Sequence, residues 1–98
     1  MNTDPILFDC HNLVRGMKVT EPYTNRTVIL LRPLADGQRL PGGIVAQNFR
    51  RNKWWVNSID EDGNPCVQTE LWCFDLIMPS PPWRFEFPTI EIDILKAT

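Results

Sequence analysis

Long apolar runs and helical periodicity are both missing from this chain of 98 residues. No run is long enough to span a bilayer, and the N-terminal MNTDPILFD lacks the basic start and long apolar stretch of a signal peptide. No segment keeps the i, i+3, i+4 spacing of an amphipathic helix over three turns, and the nine prolines disfavour helices further. We therefore expect a cytoplasmic, all-β protein that does not interact with membranes.

Residues that carry chemistry are also scarce. The three cysteines include no CxxC pair, which suits a reducing compartment, and we expect Cys66 and Cys73 to be buried free thiols. The single histidine, His11, follows Cys10 directly, and neighbours along an extended chain point apart, which makes them a poor nucleophile and base. A zinc site from Cys10, His11, Cys66 and Cys73 would lack the usual ligand spacings. No catalytic residue, metal or cofactor is predicted, and the protein is expected not to be an enzyme.

The centre of the sequence reads as strand, turn and strand. Lys53–Ile59 and Cys66–Trp72 are rich in aromatic and branched residues, and the acidic turn between them contains Asp62-Gly63. Glycine next to aspartate lets the chain reverse without strain. Alternation places Trp54 and Trp55 on opposite faces of the first strand, and both faces carry apolar residues. This hairpin is predicted to nucleate the core.

The whole chain, residues 1–98, is predicted to form a single domain. Its prolines and glycines mark the boundaries between segments. Three further strands are predicted at Val14–Glu21, Thr27–Arg32 and Ile44–Phe49, with a loop at Pro33–Gly43 that is long enough to bind a partner. The other segments are an N-terminal arm (1–13), a barrel-like core (14–77), a proline-rich link without regular pairing (78–83) and a C-terminal edge strand (84–95), which is interrupted at Pro88.

Several short motifs resemble the small SH3-like barrels. Leu13-Val14-Arg15-Gly16-Met17-Lys18-Val19 matches the opening strand of that group. The hairpin, followed by Asp75-Leu76, matches its closing hairpin and terminal segment. The resemblance implies either an SH3-like barrel or a twisted antiparallel sheet with an added C-terminal strand. It also implies a binding function, since members of the group mostly bind peptides, nucleic acid or larger assemblies.

Charge is divided unevenly along the chain. Residues 15–53 contain eight basic and two acidic side chains, whereas residues 54–98 contain two basic and eight acidic ones. A basic half can present a face to an acidic partner. Alternatively, neighbouring strands from the two halves neutralise each other within the fold.

The basic half ends in a cluster of cations and aromatics, Arg50-Arg51-Asn52-Lys53-Trp54-Trp55. Exposed tryptophan and arginine are the residues that most often carry the binding energy of protein interfaces. We therefore predict a protein-binding site, and its candidate residues are Arg50, Arg51, Lys53, Trp54, Trp55, Trp83, Pro81 and Pro82. The alternative is a nucleic-acid-binding module, in which the same cations neutralise phosphates and the aromatics stack on bases. Pro79–Pro82 has PxxP spacing and is also a candidate ligand for a prolyl isomerase.

An acidic, tryptophan- and proline-rich chain of this size resembles the small phage proteins that modulate a host enzyme. Among these it resembles the anti-RecBCD proteins of lambdoid phages, with local support from Trp54-Trp55 and Pro79–Pro82. The resemblance implies a partner that is a larger host protein or enzyme complex, such as a recombination nuclease. It also implies that the chain inhibits this partner without catalysing a reaction.

Overall fold

A computed structural model describes residues 4–88, which form an all-β fold, as the sequence predicts. The only helical element among them is a 3₁₀ turn at Cys10–Asn12. The strands are β1 (Ile6–Asp9), β2 (Lys18–Thr20), β3 (Thr27–Pro33), β4 (Lys53–Ile59), β5 (Pro65–Cys73), β6 (Ile77–Ser80) and β7 (Arg84–Glu86). The predicted continuation of the last strand, residues 89–95, lies outside the described range. Residues 4–88 contain no helix that is long and apolar enough to cross a membrane.

The strands form two antiparallel sheets. The larger has the order β5-β4-β3-β2-β7, and the smaller consists of β1 and β6. Within residues 4–88 the larger sheet does not close into a barrel, because β5 and β7 occupy its two edges without pairing with each other. An open antiparallel sheet therefore forms instead of the closed barrel, and β7 is the added strand at one edge.

The β4–β5 hairpin is the longest paired unit and confirms the strand, turn and strand predicted at the centre of the sequence. Trp54 lies opposite Trp72, and Val56 lies opposite Glu70. At the turn, the Asp60 carboxylate accepts hydrogen bonds from the N–H groups of Asp62 (3.0 Å) and Asn64 (2.8 Å). Gly63 has a φ of 83°, a conformation that glycine adopts without steric cost.

The core lies on one face of the larger sheet. This face contributes the buried side chains Val19, Val28, Leu30, Trp54 and Val56. Residues from the smaller sheet and its flanking segments pack against them, namely Cys10, Leu13, Phe74, Met78 and Trp83, together with Met17. Aromatic contacts extend the core to the edge strand, since Phe8 stacks on Phe85 with 4.2 Å between the ring centroids. The aromatic residues therefore connect the two sheets.

Two segments differ from their predictions. Ile77–Ser80 is not an unpaired link, because it forms β6 and pairs with β1, with Pro79 opposite Leu7. Both strands of a two-stranded sheet are edge strands. An edge strand accommodates a proline at a position whose N–H would face solvent rather than the partner strand. Ile44–Phe49 is not a strand, since its only ladder contact is an isolated bridge from Val45 to Arg39. The prediction for this segment was wrong because the chain turns back on itself at Gly42 and Gly43, both of which have positive φ.

A buried carboxylate organises the turn between β2 and β3. Glu21 is only 6% exposed, and its carboxylate accepts hydrogen bonds from the N–H groups of Tyr23 and Thr24, both at 2.8 Å, and from the Thr24 hydroxyl. Burial by itself raises the pKa of Glu21, but these hydrogen bonds stabilise the charged form and bring the pKa below its ordinary value. Hydrogen bonds from Arg26 and Ser58 likewise lower the pKa of Glu70.

These lowered pKa values predict acid sensitivity. As the pH falls through the ordinary glutamate value of 4.5, the unfolded chain takes up protons that folded Glu21 and Glu70 resist, so the free energy of unfolding decreases. Glu21→Gln should lower the free energy of unfolding by about 1–3 kcal/mol at neutral pH and weaken its dependence on pH. Urea unfolding across this pH range measures both effects. Glu61→Gln, in the exposed hairpin turn, is the control and should change neither the free energy of unfolding nor its pH dependence. Equal behaviour of the two variants would contradict a stabilising role for the Glu21 carboxylate.

Candidate functional site

The connection from β3 to β4 carries a group of exposed apolar and basic side chains. It runs over residues 34–52, beyond the predicted loop, and its arms are joined by backbone hydrogen bonds from Gly37 N to Ala46 O (2.8 Å) and from Ala46 N to Gln38 O (2.7 Å). Exposed on it are Ile44, Val45, Phe49, Arg50 and Arg51, which we call the Phe49 surface. The connection is thus a folded loop that presents apolar and basic side chains together.

Asn48 fastens this loop to the sheet. Its side chain is buried, and its amide Nδ2 donates to the carbonyls of Leu34 (2.6 Å) and Lys53 (3.1 Å). Its Oδ1 accepts from Lys53 N at 3.0 Å, while its own N–H donates to an Asp36 carboxylate oxygen at 2.7 Å. Both ends of the connection therefore meet at one buried amide, which fixes the position of the Phe49 surface.

Phe49 and Arg50 form the exposed tip of this surface. The Phe49 side chain is 73% exposed, and the Arg50 guanidinium carbon lies 5.6 Å from the centre of its ring, within the range of a cation–π contact. Arg51 has a φ of 58°, and its N–H donates to Asn48 O at 3.0 Å, which makes the turn tight. The Arg50 carbonyl lies 3.0 Å from His11 Nε2, so the turn also contacts the 3₁₀ segment.

The structure separates the predicted cluster of cations and aromatics. Arg50 and Arg51 are exposed together, and the half-buried Lys53 donates from Nζ to the Gln47 carbonyl at 2.7 Å. Trp55 is half-buried on the outer face of the sheet, where the Arg32 guanidinium lies 5.7 Å from the centre of its ring.

The other predicted site residues lie elsewhere. Trp54 and Trp83 are only 7% and 4% exposed and belong to the core, so the expectation that they are exposed contact residues is wrong for these two. Alternation already placed Trp54 and Trp55 on opposite faces, but both faces carry apolar residues, and the sequence alone did not show which face is inside. Pro81 and Pro82 are exposed in the turn between β6 and β7.

Sequence reasoning missed the apolar members of the Phe49 surface. Ile44, Val45 and Phe49 were assigned to a strand, in which at least one face would be covered. The signals against a strand were Gly42-Gly43 immediately before the segment and Asn48 within it, since glycine pairs and asparagine are typical of turns.

A cavity of about 370 Å³ lies next to the Phe49 surface. Its walls include Cys10, His11, Asp36, Arg51 and Trp54. Burial raises the pKa of the Cys10 thiol, and the nearby Asp9 charge raises it further. The His11 ring nitrogens contact Asp9 Oδ1 (3.0 Å) and the Arg50 carbonyl (3.0 Å) rather than the thiol. The arrangement therefore favours a neutral thiol over an activated nucleophile.

The four candidate zinc ligands do not come together. Cys66 and Cys73 lie near opposite ends of β5, seven residues and so about 23 Å apart along an extended strand. Both are exposed, which corrects the expectation of burial, whereas Cys10 is buried. Potential donor atoms of Asp9, Cys10 and His11 lie within 4.8 Å of one another, and this group includes neither Cys66 nor Cys73.

The role of Asn48 is testable. Asn48→Ala removes three side-chain hydrogen bonds, one buried and two partly buried, and should lower the free energy of unfolding by about 2–4 kcal/mol. Gln47→Ala, at the exposed neighbouring position, should change it by less than about 0.5 kcal/mol. Urea unfolding followed by tryptophan fluorescence measures both values. Similar values for the two variants would show that Asn48 does not hold the loop.

No protein-family model matches the chain, and neither a curated protein nor a solved structure is significantly similar to it.

Proposed function

We propose that this chain is a protein-interaction module that binds a larger protein through the Phe49 surface and modulates it without catalysing a reaction. The observation that carries the proposal is the exposure of Phe49, at 73%, beside two arginines on a loop that a buried amide holds in place. The proposed partner is a host enzyme such as a recombination nuclease, as the resemblance to the anti-RecBCD proteins implies.

The composition of the Phe49 surface supports protein binding. Ile44 and Val45 are 63% and 52% exposed, so the same loop offers exposed aliphatic side chains as well as an aromatic ring. Burial of such side chains at an interface contributes roughly 25 cal/mol for each Å² removed from water. Aromatic and arginine side chains are typical interface anchors, and a loop that is already ordered loses little entropy on binding. A complementary partner would present an apolar recess bordered by carboxylates.

Nucleic-acid binding is the second candidate function. It is favoured by the exposed side chains of the consecutive residues Arg50 and Arg51, which can neutralise phosphates. Stacking of these tryptophans on bases is less favoured, because Trp55 lies under the Arg32 guanidinium and Trp54 is in the core. Phosphate contacts lose affinity steeply as salt rises, whereas an interface anchored by aromatic residues loses much less.

The test is a capture experiment from host-cell lysate, with and without nuclease treatment. Phe49→Ala with Arg50→Ala should reduce capture of a nuclease-resistant, stoichiometric protein at least about tenfold, because two anchor side chains are lost. Quantitative mass spectrometry of the retained proteins gives the ratio to wild type.

Ile6→Ala with Arg15→Ala is the matched control, since Ile6 is also 73% exposed and Arg15 is an exposed arginine outside the Phe49 surface. This control should bind like wild type. Equal loss in both variants would refute the proposed surface. Loss of every partner after nuclease digestion would favour the nucleic-acid alternative.

A further inference from the structure

The cavity next to the Phe49 surface has the size and the lining of a small-ligand site. Its volume, about 370 Å³, lies within the range of roughly 300–1,000 Å³ that is typical of such sites. Its wall includes the buried side chains of Leu13, Leu34 and Trp54 together with several polar side chains. Small-ligand sites usually combine apolar walls with a few polar groups that orient the ligand. The polar groups of this wall therefore indicate which ligand fits.

Two of these polar side chains already have partners within the chain. The Asn48 amide hydrogen-bonds to the backbone at both ends of the connection from β3 to β4. His11 contacts Asp9 Oδ1 through one ring nitrogen and the Arg50 carbonyl through the other, both at 3.0 Å. Neither side chain therefore needs a ligand to satisfy its polar atoms.

The charged side chains of Asp36 and Arg51 are still able to bind a ligand. Asp36 Oδ1 accepts from Asn48 N at 2.7 Å, and within residues 4–88 its Oδ2 has no hydrogen-bond donor. The Arg51 guanidinium makes neither an ion pair nor a side-chain hydrogen bond with this part of the chain. The cavity is therefore lined by two opposite charges that do not pair with each other.

The backbone of Asn48 holds both charged residues at the cavity. Its N–H donates to Asp36, and its carbonyl accepts from Arg51 N at 3.0 Å. Arg51 has a φ of 58°, which is uncommon for a residue other than glycine. Strained residues of this kind concentrate at ligand-binding sites, where the surrounding structure keeps them in place. The strain at Arg51 is consistent with such a site.

We propose that this cavity binds a free α-amino acid with an apolar side chain. The ammonium group of the ligand pairs with the Asp36 carboxylate, and its carboxylate accepts two parallel hydrogen bonds from the Arg51 guanidinium. Its apolar side chain packs against Leu13, Leu34 and Trp54. A zwitterion matches both charges at once, whereas a simple anion would be repelled by Asp36 and a simple cation by Arg51.

NMR titration of the full chain with L-phenylalanine and, separately, with L-leucine tests the site. The indole N–H of Trp54 has no hydrogen-bond partner in residues 4–88, and its ring is part of the wall, so its signal should shift and saturate. The Trp55 signal, from the outer face of the sheet, is the internal control and should not shift. The proposal is overturned if neither amino acid shifts the Trp54 signal, or if both tryptophans respond equally.

Two analogues test whether both charges of the ligand are recognised. N-acetyl-L-phenylalanine lacks the ammonium group, and L-phenylalanine amide lacks the carboxylate. Each should bind at least about tenfold more weakly than L-phenylalanine, because one charged side chain of the cavity loses its partner. Equal affinity for the amino acid and either analogue would contradict a site for a zwitterion.

Variants of the two charged residues complete the test. Asp36→Asn keeps the Oδ1 acceptor for Asn48, and Arg51→Gly places a glycine where φ is positive, so neither should lower the midpoint of urea unfolding. Each should raise the dissociation constant of L-phenylalanine at least about tenfold. Asp62→Asn and Arg50→Ala change exposed side chains that do not line the cavity, and both should bind like wild type. Unchanged binding in either cavity variant, or equal loss in the controls, would refute the site.

The amino-acid site does not depend on the proposed protein interface. Phe49→Ala with Arg50→Ala should lose partner capture but still bind L-phenylalanine, since neither side chain lines the cavity. Loss of L-phenylalanine binding in this variant would overturn the cavity site and leave the interface intact. Retained capture of the partner would overturn the interface and leave the cavity site intact.

Discussion

The inward orientation of Trp54 and Val56 on strand β4 is the constraint on which the rest of the structure depends. Both side chains are buried in the core, and the adjacent residues Trp55 and Asn57 must therefore face the other way. A shift of one residue in register would exchange the two sets and expose the core side of the sheet. The smaller sheet, through Met78, and the segments around it, through Phe74 and Trp83, cover this face. The fold is therefore two layers built around one strand.

The same strand also positions the candidate site. The backbone of Lys53, its first residue, accepts from Leu34 N and from the Asn48 amide, and it donates to Asn48 Oδ1. The ordered core strand is therefore connected directly to the loop that carries Phe49. Functional loops commonly depend on a rigid scaffold in this way, because side-chain positions are only as well defined as the backbone that carries them. In this chain the buried Asn48 amide makes two of these three hydrogen bonds.

The sequence was sufficient where a segment's own residues determine its structure. Thr27–Pro33 and Lys53–Ile59 are rich in branched and aromatic residues, and both are strands close to the predicted bounds. It was insufficient where contacts with distant parts of the chain determine the conformation of a segment. Ile44–Phe49 was predicted to be a strand, yet the segment has no partner strand, and Asn48 turns inward to satisfy backbone groups of Leu34 and Lys53. Pro79 pairs in a sheet only because that sheet has two strands.

The hairpin keeps the basic residues of one half of the chain apart from the acidic residues of the other. Arg26 and Glu70 form the one Lys/Arg ion pair among residues 4–88, at 2.6 Å, so the halves are mostly not neutralised by direct contacts within the described chain. The basic turn around Arg50 and the acidic turn around Glu61 lie at opposite ends of β4 and β5. A strand of seven residues separates such turns by about 23 Å, well beyond the screening length of about 8 Å at physiological salt. Attraction between these groups in one chain is therefore weak, and both remain able to interact with a partner molecule.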